Sequence, residues 1–239
     1  MTSPGVTLSG SGQIAGEALF SDLRLRLVGG GWTCLLGPSG CGKSTLLRLL
    51  AGLDTGAVFT GTITAEDGLP LAGRVAYMAQ EDLLLPWLDV RGNVRLGAHL
   101  RGLAPDGPRS EALIARLGLA DHAEKRPSQL SGGQRQRVAL ARTLMEDRAV
   151  VLLDEPFSAL DARTRAEMQE LAAETLAGRT VLLVTHDPAE AARMGNRVYL
   201  MEHGGLTDMP PPPTPAIRET GHGETQRFGE ALMARLRAA

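Results

Sequence analysis

Residues 37–45 read GPSGCGKST, the form G-x-x-x-x-G-K-[ST], with Gly37 and Gly42 at its fixed ends and Lys43-Ser44 following. The flanks suit such a loop. Trp32-Thr33-Cys34-Leu35-Leu36 is a short β-favouring run, and Thr45 to Ala51 has helical character before Gly52. Glycines let a backbone turn its N–H groups inward, and the following helix presents its positive dipole end to an anion. Gly37, Pro38, Ser39, Gly40, Cys41, Gly42, Lys43, Ser44 and Thr45 are therefore candidate phosphate-binding residues of a nucleotide site. Lys43 is placed to reach β- and γ-phosphates, and the Ser44 hydroxyl to complete a Mg²⁺ shell.

Two further segments carry matching chemistry. Val150-Val151-Leu152-Leu153 is an unbroken apolar run ending in Asp154 and Glu155. Asp154 suits an indirect hold on Mg²⁺ through water, and Glu155 can polarise an attacking water, since phosphoryl transfer needs an in-line nucleophile. Thr180 to Val184 is a second such run, followed by Thr185-His186-Asp187. A histidine at a strand's carboxyl end can reach a γ-phosphate in the crevice where ligands of open α/β sheets collect.

The 239 residues suffice for one large domain, or a domain with a subdomain. Hydrophobic residues make up 43% and aromatics 3%, so the core is expected to be mainly Leu, Val and Ala. A net charge of −2 gives no overall basic field, and no nucleic-acid partner is expected. The two cysteines, Cys34 and Cys41, fall in one strand–loop unit, which argues against a disulfide framework and for a reducing setting. The amino-terminal residues lack the pattern of a signal peptide, and no stretch approaches the ~18–20 apolar residues needed to span a bilayer.

Strands are expected at 60–64, 74–79, 150–153, 180–184 and 197–201, and helices at 90–100, 110–117 and 161–177. The apolar runs suit parallel strands covered on both faces, and the alternation argues for an α/β core with a helical insertion near the middle. Pro210 to Pro213 is expected to be extended and exposed, a semi-rigid linker to a last helix at about 223–237.

Leu130-Ser131-Gly132-Gly133-Gln134 holds a capping box, Ser131 with Gln134 three residues on, opening a helix through Val138, Ala141 and Leu144. A capping box does not need two glycines. These strip side chains from the first turn and leave N–H groups open to an anion. A second phosphate-binding helix start suggests that each nucleotide is clamped between two copies.

With these motifs in this order over about residues 15–205, the chain resembles the nucleotide-binding subunit of an ABC transporter. The resemblance implies a P-loop NTPase core with a mostly parallel sheet, an antiparallel β subdomain and an inserted helical subdomain. The ATPase domain would cover 1–205, with the helical subdomain at about 82–130, and 206–239 would be a proline-rich linker and helix. By resemblance, 37–45 is the Walker A loop, 130–134 the signature and Val150 to Asp154 the Walker B strand. Glu155 is then the catalytic carboxylate, His186 the switch histidine, and Ser158 to Asp161 the D-loop, whose Asp161 joins the nucleotide site. Gln80 would sense the γ-phosphate and Mg²⁺. Two ATP molecules would lie in a head-to-tail dimer, between the Walker A of one copy and Ser131, Gly132, Gly133 and Gln134 of the other.

The family commonly stacks adenine on an aromatic some two dozen residues before the Walker A loop. That neighbourhood is Gln13-Ile14-Ala15-Gly16, with Phe20 the nearest aromatic, so Ile14 is the expected aliphatic rest for adenine. The Cys41 thiol, beside Lys43 at a helix start, is either a reactive group or a small filler of the loop. Glu81 to Leu88 (EDLLLPWL) is expected to receive integral membrane permease subunits, which a solute-binding protein would serve, at the cytoplasmic face of the inner membrane. That run resembles importers of nitrate, sulfonates, taurine or thiamine precursors. An exporter cassette, or a non-transport ATPase of DNA repair or translation, is the alternative.

Overall fold

The computed structural model describes residues 3–202, 204–219 and 221–238. The chain divides into two compact units, one of residues 1–77, 148–155 and 177–239, the other of 78–147 and 156–176.

The first unit begins with a hairpin of β1 (Val6–Ile14) and β2 (Glu17–Leu27). Its two-residue turn is Ala15-Gly16, both at positive φ, the twist that matches paired strands. β4 (Val58–Ala65) pairs with β1, giving an antiparallel sheet in the order β2-β1-β4. A second sheet of six strands runs β5 (Val75–Met78), β6 (Val150–Asp154), β7 (Thr180–Val184), β3 (Trp32–Leu36), β8 (Arg197–Glu202) and β9 (Gly205–Met209). β6, β7, β3 and β8 are parallel neighbours, and every residue of β3, β6 and β7 is buried, as their unbroken apolar runs require. One apolar cluster joins the two sheets to helix α1 (Lys43–Leu50) through Leu8, Phe20, Leu35, Leu47, Leu152 and Met201.

Because β3, β6 and β7 are parallel and in register, their carboxyl ends lie at one edge: Leu35 and Asp154 both face Val184. This is the crevice side of an open α/β sheet. Helix α7 (Pro188–Met194) follows β7 at once, opened by Asp187 accepting from the Ala189 N–H at 2.9 Å.

The tail differs from a simple linker. β9 extends the sheet antiparallel to β8, and helix α8 (Gly223–Ala238) packs on α7. Pro211 and Pro212 are half-buried rather than exposed, because the Pro212 carbonyl accepts a hydrogen bond from Arg218.

The second unit holds α2 (Val90–Val94), α3 (Leu96–Leu100), α4 (Gly107–Arg116), α5 (Gly132–Leu144) and α6 (Ala162–Thr175). The helix expected over 90–100 is broken at Arg95, whose guanidinium is held by Ser110 and Glu111 of α4. α2, α4, α5 and α6 each start on a capping side chain, Asp89, Asp106, Ser131 and Asp161. The Asn93 side chain, fully buried, bonds the Leu85 N–H and the carbonyls of Leu85, Leu88 and Asp89, fixing the loop before α2.

Candidate active site

In the first unit the loop 37–42 leaves β3 and enters α1 with little room to spare. A Cβ on Gly37 would come within 2.5 Å of the Met201 carbonyl oxygen. Gly42, at φ 102°, is in left-handed backbone, and a Cβ there would meet Leu19 at 3.0 Å. Both glycines are therefore demanded by the chain's own packing. Lys43 is buried, and its Nζ donates to the Gly37 and Pro38 carbonyls at 2.8 and 2.7 Å, which holds the ammonium against the loop. Pro38, Ser39 and Gly40 are exposed on the loop's outer side, and Thr45 is half-buried in the first turn of α1. Cys41 is half-buried and turned inward, its Sγ 3.8 Å from Lys43 Nζ.

Asp154 is buried at the end of β6, and the Ser44 side chain hydrogen-bonds its carboxylate. Burial raises the Asp154 pKa above the ordinary carboxylate value, and the neighbouring Glu155 charge adds to the rise, against the lowering by Ser44 and Lys43. A buried carboxylate in this state is a ready partner for added positive charge.

Glu155 follows at φ 49°, left-handed backbone that costs a non-glycine residue about 1 kcal/mol or more. Its N–H donates to the Val184 carbonyl at 2.9 Å, so β7 holds the turn. The Glu155 carboxylate meets His186 Nδ1 at 3.0 Å, with the imidazole exposed. Glu155 and His186, 31 positions apart, thus become one hydrogen-bonded pair at the sheet's carboxyl edge.

Sequence reading missed Leu19. Gln13 pairs with Ala18 and Gly12 with Phe20, so Leu19 is the extra residue of a bulge, and the bulge turns it toward Gly42. Phe20 lies in the core against Phe59, with ring centroids 6.4 Å apart, and is not available to a nucleotide. Ile14 is exposed where β1 meets the turn.

The second unit carries the remaining motif residues. Ser131 Oγ accepts from the Gln134 N–H at 3.2 Å, and Gln134 Oε1 accepts from the Ser131 N–H at 2.8 Å, which closes the capping box of α5. Gly133 lies near the Ala159 carbonyl, where a Cβ would sit at 3.2 Å. Gly132 is different: a Cβ there would meet nothing nearer than an Arg135 nitrogen at 3.9 Å. Gln136, also missed, is buried and bonds both Ser158 Oγ and the Ala159 N–H, tying α5 to residues 158–161. Asp161 caps α6 through the Thr164 N–H at 3.0 Å, and that bond keeps its carboxyl below the usual range. Gln80 is exposed and lines a cavity of about 450 Å³ with Asp82, Gly132, Arg135 and Ser158. Within 81–88, Leu84 is buried and Leu85 half-buried, whereas Leu83 and Trp87 point outward, 58% and 66% exposed. Arg142 holds this loop by the carbonyls of Asp82 and Leu83.

The family profile described as ABC transporter matches residues 20–158, more than half of the chain and including both glycine loops and the β6 acids. The chain belongs to the ABC transporter family. An uncharacterized ABC transporter ATP-binding protein of Haemophilus influenzae is 48% identical over 188 residues, 78% of this chain and 77% of the relative. Aliphatic sulfonates import ATP-binding proteins of Agrobacterium fabrum and Rhodococcus jostii are 49% and 44% identical, covering 80% and 89% of this chain and 73% and 84% of theirs. A bacterial Atm1-family ABC exporter with ATP bound superposes with a TM-score of 0.74 at 24% identity, over 86% of this chain and 38% of the exporter, which shows the shared fold. This ABC transporter subunit is an ATP-binding ATPase. Among its described residues no helix is long and apolar enough to cross a membrane.

Proposed function

We propose that this chain is the ATP-hydrolysing subunit of an importer for aliphatic sulfonates, working as a head-to-tail dimer on separate permease subunits. The observation that carries the dimer is Gly132. Gly132 is the first residue of α5, and among the described residues nothing but an Arg135 nitrogen at 3.9 Å lies within 4 Å of where its Cβ would sit, so packing within the subunit does not call for a glycine. An open first turn with a positive dipole end suits phosphates supplied from outside the subunit. Ser131, Gly132, Gly133 and Gln134 of one copy would then cover ATP held by residues 37–45 of the other, with Asp161 near the join.

The residues also fit Mg²⁺. Ser44 and Asp154 would hold it together with the nucleotide's phosphates, and its charge would offset the buried Asp154 carboxylate. When bound it supplies neutralisation of phosphate charge. Lys43 binds the β- and γ-phosphates, and Glu155 takes a proton from the attacking water as general base. His186 orients the γ-phosphate and, through its hydrogen bond, the Glu155 carboxylate. Ile14 would support adenine.

Leu83 and Trp87, apolar and outward on a loop fixed by Asn93 and Arg142, suit docking of a permease helix within Glu81–Leu88. Such docking would hold the subunit at the cytoplasmic face of the inner membrane, with a solute-binding protein delivering cargo on the far side. The names of the sulfonate-import relatives support the direction and the cargo class. Proteoliposomes holding this chain, its permease and its solute-binding protein test the reading. ATP-driven uptake of an alkanesulfonate, lost in Trp87→Asp, is expected; active ATPase with no sulfonate uptake would overturn it.

A further inference from the structure

Helix α7 begins two residues after His186, so its position sets where that imidazole stands. Seven residues give a helix little rigidity of its own, and its last carbonyls have no partners within it. They find one far along the chain. Arg218 Nη1 donates to the carbonyls of Ala192 and Gly195 at 3.0 and 2.8 Å. Nη2 donates to the Pro212 carbonyl at 3.0 Å, and Nε to Thr214 Oγ1 at 3.1 Å. The Arg218 N–H also donates to the Arg193 carbonyl at 2.9 Å, and Arg193 Nε returns a bond to the Arg218 carbonyl. Arg218 is only 4% exposed, so this fork of bonds works away from water, where each counts for more.

The cation sits where the helix dipole is negative, and α8 covers another side of α7 with Gly229 against Pro188, Ala189 and Ala192. Desolvating a guanidinium costs several kcal/mol, so an apolar side chain would serve packing as well or better. What a planar five-donor fork adds is fixed geometry between the elements it joins.

We infer that Arg218 is a positioning residue for ATP hydrolysis. By tying the carboxyl end of α7 to segment 212–218, it holds the helix whose amino end presents His186 to Glu155. This rests on the roles of Glu155 and His186 given above. α7 also packs on β3, but the loop 37–42 is fixed by its own contacts, Lys43 Nζ on the Gly37 and Pro38 carbonyls, so ATP binding is expected to survive loss of the tie.

Steady-state ATPase of the full chain, with nucleotide binding and imidazole NMR of His186, tests it. Arg218→Met is expected to lower kcat about tenfold, keep KM for ATP within about twofold, and shift the His186 resonances. Arg218→Lys, which keeps charge without the fork, is expected to recover only part of kcat. Should Arg218→Met not fold, Thr214→Val removes one acceptor and is expected to lower kcat about twofold with KM kept. A folded Arg218 variant with wild-type kcat, a parallel rise in KM, or a kcat loss with unmoved His186 resonances would overturn the inference. Wild-type kcat in His186→Ala would instead remove the underlying role of His186, whatever Arg218 does.

Discussion

Gly37 in the phosphate loop and Gly132 at the start of α5 both lack a side chain beside a helix amino end, yet for different reasons. At Gly37 the chain itself fills the space, with Met201 where a Cβ would go. At Gly132 the space is open. The first loop is shaped by its own subunit; in the proposed dimer the second would be open for a nucleotide that approaches from outside. A Rossmann-like crevice needs only the first kind, and a site shared between copies needs both.

Substituting the two glycines tests that difference most strongly. Gly37→Ala is expected to destabilise the fold by about 1–3 kcal/mol, as overpacking does, read in denaturant unfolding. Gly132→Asp is expected to leave the thermal midpoint unchanged or raised, since an acid favours a helix start and space is open. Its ATPase should fall on the order of tenfold, because the new charge faces phosphates. Equal loss of stability at both positions would erase the contrast.

Asp154 sharpens the phosphate-loop side. Its native pKa is raised above the unfolded value by burial and by Glu155, so the native state binds more protons between the two values. Stability of the ATP-free subunit therefore falls as pH rises from the ordinary carboxylate range through the raised native value. Asp154→Asn is expected to remove that slope and raise the midpoint at neutral pH, measured by thermal melts across pH. A slope that persists in the variant would place its source elsewhere.

Ile14 carries the smallest effect. Ile14→Ala is expected to weaken ATP binding by about two- to threefold, the scale of a partly buried aliphatic contact, by titration calorimetry. Unchanged affinity would remove Ile14 and leave Leu19, which touches Gly42, as the hairpin's contribution to the site.

Much of the candidate site was legible because its motifs are local in sequence. The loop 37–45, the acids 154–155 and the capping box 131–134 each need contiguous residues at fixed spacing. The strands β3, β6 and β7 were legible as apolar runs for the same reason. Leu19 was not, since a bulge is a property of two paired strands and leaves no mark in either alone. Gln136 was hidden inside a helix whose pattern explained it already. Arg218 was hidden by distance: its acceptors lie 4 to 26 positions away, and the proline run beside it reads as a linker. The break at Arg95 likewise depends on Ser110 and Glu111 of another helix.

In the proposed dimer neither copy completes the ATP site alone. Glu155→Gln keeps the φ 49° turn and the side-chain shape while removing the general base, which should cost about a hundredfold or more in turnover. Light scattering of this variant with saturating Mg²⁺-ATP measures the claim directly. Twice the subunit mass is expected, with two ATP retained, returning to the single mass with ADP. A variant that binds ATP and stays at the single mass would contradict it.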